Sequence, residues 1–198
     1  MVPERITTDR FELRRFGRRD SDRLAAAVRS SLPELQRWLP WAHPGYDRDE
    51  AVGYVRESSL SWREGRAFDF AIRSRTDSSS HLGNISIWQV SRMGRSGEIG
   101  YWVRTDQAGQ GIATEVTRAL VTVGFDNLGF HKINLRIAVG NRASERVAEK
   151  LGFAREGILR EELLIQGRWV DHTMYSLLEH EWRAAGRPAI ETQGLADN

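Results

Sequence analysis

The segment 107–114, Gln-Ala-Gly-Gln-Gly-Ile-Ala-Thr, has the composition of a loop that binds phosphate groups. Two glycines, Gly109 and Gly111, follow an extended stretch at 98–104 and lead directly into a helical pattern whose apolar residues recur every three to four positions. Glycine permits a tight turn and lets an anion approach the backbone amides. The first-turn N–H groups of the helix, from Gly111 to Thr114, have no partner inside the helix and lie at the positive end of its dipole. The segment therefore predicts a pyrophosphate cradle that needs no lysine.

The loop by itself does not identify the phosphate compound. It lacks the Gly-Lys-Ser/Thr ending of an NTP-binding loop, and the third glycine of a dinucleotide-binding turn is absent, since Val116 stands in a plain helix after Thr114. Two glycines can also do no more than shape a strand-to-helix turn. The segments that surround the loop have to decide between these interpretations.

Four further motifs connect the loop to a known family. Residues 140–144 read Gly-Asn-Arg-Ala-Ser, 150–153 read Lys-Leu-Gly-Phe, 99–102 read Ile-Gly-Tyr-Trp, and 38–41 read Trp-Leu-Pro-Trp. With these motifs, from about residue 5 to residue 183, the chain resembles the GNAT superfamily of acetyl-CoA-dependent N-acetyltransferases. The last two motifs resemble the RimL/RimJ branch, which acetylates protein N-terminal amines, notably of ribosomal proteins, and has relatives that act on small amines.

The resemblance implies the GNAT fold, a mixed α/β (α+β) fold with a central, mostly antiparallel sheet, a splayed strand pair and flanking helices. In that fold the strand around 99–103 diverges from the strand at 133–139, and the pantetheine arm of acetyl-CoA lies in the gap. A backbone amide near Tyr101 to Val103 would polarise the acetyl carbonyl. The residues expected to bind the acetyl-CoA co-substrate are Trp102, Val103, Gln107, Gly109, Gln110, Gly111, Ile112, Ala113, Thr114, Asn141 and Ser144.

Two positions depart from the family pattern. The family usually has Gln or Arg where this chain has Ala108, so one side-chain contact to the phosphates is missing or shifted to Gln107. Ala148 stands where many GNAT enzymes have the tyrosine that protonates the departing thiolate. Ser144 is the expected replacement, a role suggested for the RimL branch, although a serine there can simply bond the backbone. Asn141 is expected to hold the pantetheine arm or a bridging water, and it is also well placed to cap the following helix.

Glu98 is the predicted catalytic base, because it enters the strand beside the expected acetyl position and could accept the ammonium proton through water. A glutamate at a strand entry can also be merely exposed, and Glu161 or Glu162 is the alternative, since RimL-type enzymes are thought to use a glutamate in that region. His131 and His172 are isolated and show no metal-ligand spacing. No metal is predicted.

Trp38, Trp41 and Tyr101 are the predicted acceptor-binding residues. The segment 38–46 is rich in aromatic residues, proline and glycine, which suits a loop that lines a pocket, although tryptophans at a helix end also pack in cores. The predicted reaction is direct attack of a primary amine on the thioester, with a protein N-terminal α-amine favoured. A polyamine or aminoglycoside acceptor, and an acyl-CoA-binding regulator without turnover, stay open.

The composition fits one domain, predicted over 1–185, with a polar tail at 186–198 that is expected to be disordered. The chain has 198 residues, of which 40% are hydrophobic and 28% charged, and its net charge is +2. No apolar run reaches the roughly 20 residues that span a bilayer, and the missing export signal predicts a cytoplasmic protein. The zero cysteines exclude a disulfide framework.

The charge pattern does not indicate a nucleic-acid partner. Lys132 and Lys150 are the only lysines, and the arginines are spread along the chain apart from Arg14-Arg15 and Arg18-Arg19. Related enzymes often form dimers, so a homodimer is left open.

The hydrophobic periodicity predicts the elements that position these residues. Strands are predicted at 11–16, 68–72, 81–90, 98–104 and 133–139, with a final hairpin at 158–165 and 169–178. Helices are predicted at 20–31 with Asp20 as the cap, after Pro33, at 47–65, from 112, and before 153. The strand–helix–strand connection through the long helix from 112 predicts parallel pairing of its two strands.

Overall fold

Eight strands form one sheet in the structure, a computed structural model that describes residues 1–186. The strands are β1 (Arg5–Thr7), β2 (Phe11–Arg15), β3 (Ala67–Ser74), β4 (Gly83–Ser91), β5 (Ser96–Val103), β6 (Lys132–Ala138), β7 (Ala154–Ile165) and β8 (Arg168–Leu178). The helices are α1 (Ser21–Leu35), α2 (Arg48–Glu64), α3 (Ile112–Asp126), α4 (Arg142–Leu151) and α5 (Glu179–Ala184). The sheet order is β1-β2-β3-β4-β5-β6-β8-β7. The tail predicted beyond Gly186 lies outside the described residues.

β5 and β6 are the one parallel pair in this sheet, and they separate. Their pairing joins Ser96–Glu98 to Lys132–Asn134 and stops there, whereas β6 pairs with β8 along its whole length. The other neighbouring strands are antiparallel. The predicted mostly antiparallel sheet with a splayed strand pair is therefore confirmed.

The sheet divides the molecule into two packed sides, and β5 contributes to both. Ile99 is buried in the core formed with α3, with Tyr101 and Val103 packed against that core. Trp102 is buried in a second core that includes residues of α1 and α2. Because side chains alternate along a strand, Glu98, Gly100 and Trp102 face the α1–α2 side. Neighbouring residues of one strand thus reach opposite sides of the sheet.

Asp20 stands at the N-cap of α1, as predicted, but its side chain does not cap the helix. α1 begins at Ser21 after a 3₁₀ turn, and the Asp20 side chain makes no capping bond to it. Its buried carboxylate instead lies 2.5 Å from a guanidinium nitrogen of the fully buried Arg73 and accepts a hydrogen bond from the Gly17 N–H at 2.8 Å. Removing either charge from a buried pair is costly, so this ion pair decides where Asp20 points.

The predicted break at Pro33 is wrong. α1 continues through Pro33 to Leu35, and residues 36–38 form turns rather than a second helix. Proline cannot donate to the carbonyl four residues earlier, but at this position it lies in the last turn of the helix.

The predicted helix at 47–65 agrees with α2, which Asp47 caps by accepting from the Asp49 and Glu50 N–H groups. α5 was not predicted. No helix in the described part of the chain is long and apolar enough to cross a bilayer.

Candidate active site

Two glycines shape the turn between β5 and α3. Gly109 has φ 79° and Gly111 has φ 78°, a left-handed conformation that favours glycine. Gly111 stands at the N-cap of α3, so its missing side chain leaves the first-turn amides accessible. A Cβ added to Gly109 would meet no atom within 4 Å, which means that this backbone borders open space. The predicted strand–loop–helix arrangement is present.

A polar clamp that sequence reasoning missed holds this turn in place. The Glu115 carboxylate in the first turn of α3 accepts from the Thr8 hydroxyl at 2.6 Å and from the Arg10 side chain at 2.8 Å. A second Arg10 nitrogen donates to the Gln110 carbonyl at 3.0 Å. The contacts join positions 100 to 107 residues apart in the chain, so no local pattern could have indicated them.

A cavity of about 410 Å³, here called the first cavity, lies against this turn. Ten of the eleven residues predicted to bind the co-substrate line it: Trp102, Val103, Gln107, Gly109, Gly111, Ile112, Ala113, Thr114, Asn141 and Ser144. Trp38 and Tyr101 also line it. Gln110 does not line it, and its side-chain nitrogen donates to the Gln107 side-chain oxygen at 3.4 Å. The structure therefore brings residues from β5, the turn, α3 and α4 to one cavity.

Two basic residues of α4 also line the first cavity and were not predicted. Arg146 and Lys150 are four residues apart and so lie on one face of the helix, beside Ala143 and Val147. Their spacing was readable in the sequence as a signal for a positively charged helix face. Such cations suit the phosphate groups of a nucleotide-like compound.

Asn141 acts as the N-cap of α4. Its side-chain oxygen accepts a hydrogen bond from the Ser144 N–H at 3.2 Å, while both residues face the first cavity. The capping role considered for Asn141 is thus present, and its amide nitrogen stays available as a donor. Ala148, at the position of the family tyrosine, is fully buried in the core.

The Tyr101 hydroxyl lies beside Ser144 without a well-formed hydrogen bond to any of residues 1–186. Burial raises the pKa of this phenol to about 12, and the neighbouring Ser144 side chain opposes the rise. A buried hydroxyl without a partner is costly. The Tyr101 oxygen is therefore a free polar group at the boundary of the first cavity.

A second cavity, of about 540 Å³, lies on the α1–α2 side of the sheet. Leu39, Tyr101 and Trp102 line both cavities, so the two meet at β5. Trp41, which is 39% exposed, lines the second cavity and packs against Tyr46 with ring centroids 5.8 Å apart. Of the residues predicted to contact an acceptor, Trp38 therefore lines the first cavity, Trp41 the second, and Tyr101 both.

Glu98 and Glu162 meet at one arginine and line neither cavity. An Arg136 nitrogen donates to Glu98 at 3.0 Å, and another donates to Glu162. Burial raises the pKa of Glu98, and the Arg136 guanidinium opposes that rise. Glu161 stands apart: it lies in a bulge of β7 with φ 49°, and its N–H donates to Asp171. The glutamate predicted as exposed or catalytic is thus a buried member of an ion-pair network.

His131 and His172 line neither cavity. Burial lowers the pKa of His172, whose ring lies 3.1 Å from the Val170 carbonyl. Among residues 1–186 there is no group of three His, Cys, Asp or Glu side chains that could hold a metal ion.

The splayed strands beside a glycine turn and a helix N-terminus define a class of acetyltransferase. The model of the GNAT acetyltransferase domain matches residues 10–154, and the chain belongs to this family. Its members are N-acetyltransferases, and acetyl transfer is the activity that the family assigns.

Individual relatives agree with this class. The chain is 32% identical over 166 residues to the protein named "Putative ribosomal N-acetyltransferase YdaF" of Bacillus subtilis, covering 83% of this chain and 88% of that one. It is 28% identical over 193 residues to the [ribosomal protein uS5]-alanine N-acetyltransferase of Escherichia coli, covering 91% and 94%. The structure of Mycobacterium smegmatis RimJ in complex with a CoA disulfide superimposes with a TM-score of 0.76 at 26% identity, covering 89% and 90%.

Proposed function

We propose that this protein transfers the acetyl group of acetyl-CoA to the N-terminal α-amine of a protein, in the manner of the ribosomal-protein acetyltransferases. The observation that carries the proposal is the meeting of two cavities at Tyr101 and Trp102, on the strand that separates from β6. One cavity has the glycine turn that is proposed to bind phosphate, and the other has an aromatic wall. The relatives named for ribosomal acetylation support the acceptor class.

In this proposal acetyl-CoA occupies the first cavity. The amides that follow Gly109 and Gly111 hold its pyrophosphate, and Arg146 and Lys150 add positive charge. The pantetheine arm enters the gap beyond Glu98, where β5 has no neighbour on the β6 side. The Asn141 amide nitrogen and the β5 amides near Tyr101 to Val103 donate to the arm and to the thioester carbonyl. Donors fixed by a strand need no reorganisation when charge develops on that oxygen.

Ser144 protonates the departing CoA thiolate. It is in the first turn of α4, lines the first cavity, and has its N–H fixed by Asn141. The buried Tyr101 hydroxyl lies beside it. The attacking amine approaches from the second cavity on the other side of β5, so attack and departure take place on opposite sides of the strand.

Ser144→Ala is expected to lower kcat by about 100-fold while changing the acetyl-CoA KM little. General acid assistance contributes about 10² to 10⁴ in rate, and a thiolate with a thiol pKa near 8.5 is a tolerable leaving group without help, so the lower end applies. Steady-state kinetics with a peptide acceptor measures this. Ser30→Ala is the control, because Ser30 is an exposed helical serine that bonds the Ala27 carbonyl of its own helix. A Ser144→Ala rate within about twofold of wild type would remove the serine from the mechanism.

The proposed function is tested by measuring the release of free CoA thiol with a panel of acceptors. The panel contains peptides with free and with blocked N-termini, a polyamine and an aminoglycoside. We expect release with the free N-termini, and little or none with the blocked ones. Release with the small amines alone would replace the peptide acceptor by a small molecule, and binding of acetyl-CoA without release for any amine would make the protein a regulator.

A further inference from the structure

Asp69 is a carboxylate in the lining of the second cavity, and the reaction described so far does not use it. It lies on β3, is 8% exposed, and accepts a hydrogen bond from the Ser86 hydroxyl at 2.5 Å. Ser86 lies opposite it on β4 and also lines the cavity. The second cavity is therefore lined by a serine hydroxyl that is hydrogen-bonded to a carboxylate.

The register of the sheet places this pair beside the expected position of the reacting amine. Asp69 is opposite Ser86, and Ser86 is opposite Gly100 of β5. Directly opposite residues share a face with Cβ positions about 5 Å apart, so the three form a row on the α1–α2 side. Gly100 has no side chain, and a Cβ there would come within 3.1 Å of the Trp88 ring. The Trp88 ring therefore occupies the space where a side chain at position 100 would stand, and Ser86, Trp88 and Gly100 line the second cavity together, one residue before Tyr101.

The charge on Asp69 is not neutralised by the protein. No arginine, lysine or histidine nitrogen of residues 1–186 lies within ion-pair distance of it. Glu98 and Glu162, by contrast, share the guanidinium of Arg136. A buried carboxylate without a cation is costly unless it is hydrogen-bonded or receives one. The second cavity therefore presents an unpaired carboxylate to a cationic ligand.

The other titratable groups around Asp69 do not supply a cation. The Tyr54 phenol of α2 contacts Asp69, Ser86 and Asn84, and burial followed by the Asp69 charge raises its pKa. Asn84 on β4 accepts a hydrogen bond from the His81 ring through its side-chain oxygen at 2.8 Å, and burial lowers the pKa of His81 to about 4, which keeps that ring neutral. Glu50 and Tyr46 also line the cavity. The His43 ring contacts Glu50 at 3.0 Å outside the cavity, and no arginine, lysine or histidine is among the residues that line the second cavity.

We propose that Ser86 and Asp69 receive the proton that the acceptor's ammonium group must lose before it attacks the thioester. This inference rests on the proposed function. The ammonium group lies in the second cavity beside Ser86 and donates to the Ser86 oxygen; as its N–H bond breaks, Ser86 passes its own proton to Asp69. The amine becomes neutral and the carboxylate becomes a carboxylic acid, so charge and protons balance. Ser86 contacts the reacting group, and Asp69 acts through it.

The test is the pH dependence of kcat/KM for Asp69→Asn and Ser86→Ala on a peptide with a free N-terminus. Asparagine keeps the size of the side chain and an oxygen that accepts from Ser86. An α-ammonium has a pKa of about 7.7 to 8.0. We expect each variant to lose about 100-fold near pH 6.5, in the range of general base catalysis, and less than about tenfold near pH 9.5, where the amine is already neutral. The kcat/KM of the double variant should be no lower than that of the less active single variant, because the two residues act as one unit.

Acetyl-CoA binding, measured by calorimetry, is the control for folding, because neither residue lines the first cavity. Its dissociation constant should stay within about twofold. A constant-fold loss at every pH, or a pH-dependent loss in Glu98→Gln instead, would overturn the relay. If wild type turns over only a polyamine, the proposed acceptor is wrong but the same comparison on that amine still decides the relay, since any ammonium group must lose a proton.

Discussion

Gly111→Val is expected to weaken acetyl-CoA binding by about 100-fold or more while leaving the protein folded. Each hydrogen bond to a charged group contributes about 1.5 to 3 kcal/mol, and the substitution would remove at least two amide contacts to the pyrophosphate. Gly111 has φ 78°, a conformation that a β-branched residue resists. A valine would therefore shift the turn, and its side chain would stand at the start of α3, where the pyrophosphate is proposed to bind. Arg10 is the nearest neighbour, with a nitrogen 3.4 Å from an added Cβ.

Gly129→Val provides a matched control for this substitution. Gly129 has φ 65°, follows the other end of α3, and has no atom within 4 Å of an added Cβ. It lines neither of the two cavities. Both variants carry the same kind of backbone strain, so circular dichroism and thermal unfolding should change similarly. Calorimetry should show loss of acetyl-CoA binding in Gly111→Val alone. Equal, near-normal affinity in the two folded variants would make the turn a structural connection and nothing more.

The features that sequence reasoning predicted well are those encoded locally or by a motif. The turn at Gly109 and Gly111 was predictable because only glycine suits those backbone angles and because the helical periodicity begins directly after it. The parallel pairing of β5 with β6 followed from the strand–helix–strand connection. The gap between these strands came from the resemblance to the family, since no residue pattern in either strand marks where pairing stops.

The features that could not be predicted depend on register and on long-range contacts. Asp69 is two residues from Ala67 and Ala71 in an ordinary strand pattern, and its place opposite Ser86 and Gly100 exists only once three strands are paired. Glu98 was predicted as the catalytic base from its place at a strand entry, but Arg136, 38 residues further on, draws it into a buried ion pair that the sequence did not indicate. Asp20 matched the residue type of a helix cap, yet a buried arginine on β3 takes its carboxylate.

A peptide with a free N-terminus and one lysine is expected to be acetylated on the α-amine about 300 times faster than on the lysine at pH 7. An α-amino group with a pKa of about 7.7 to 8.0 is roughly one tenth neutral at that pH, whereas a lysine amine near 10.4 is neutral in less than about one part in a thousand. The difference in the free energy of deprotonation between the two amines is some 3 kcal/mol, whichever group receives the proton. The second cavity offers carboxylates, Glu50 and Asp69, rather than a neutral histidine or a lysine to lower that cost.

Fragmentation mass spectrometry locates the acetyl group, and the same peptide with a blocked N-terminus reports the lysine rate alone. The pH dependence of the preference distinguishes amine protonation from steric selection. If protonation sets it, the α-amine rate levels off above about pH 8 while the lysine rate continues to rise, so the preference should fall about tenfold per pH unit until near pH 10. A preference that does not change with pH would mean that the cavity around Trp41 selects by shape. Acetylation mainly on the lysine would contradict the proposed α-amine acceptor and leave acetyl transfer from acetyl-CoA intact.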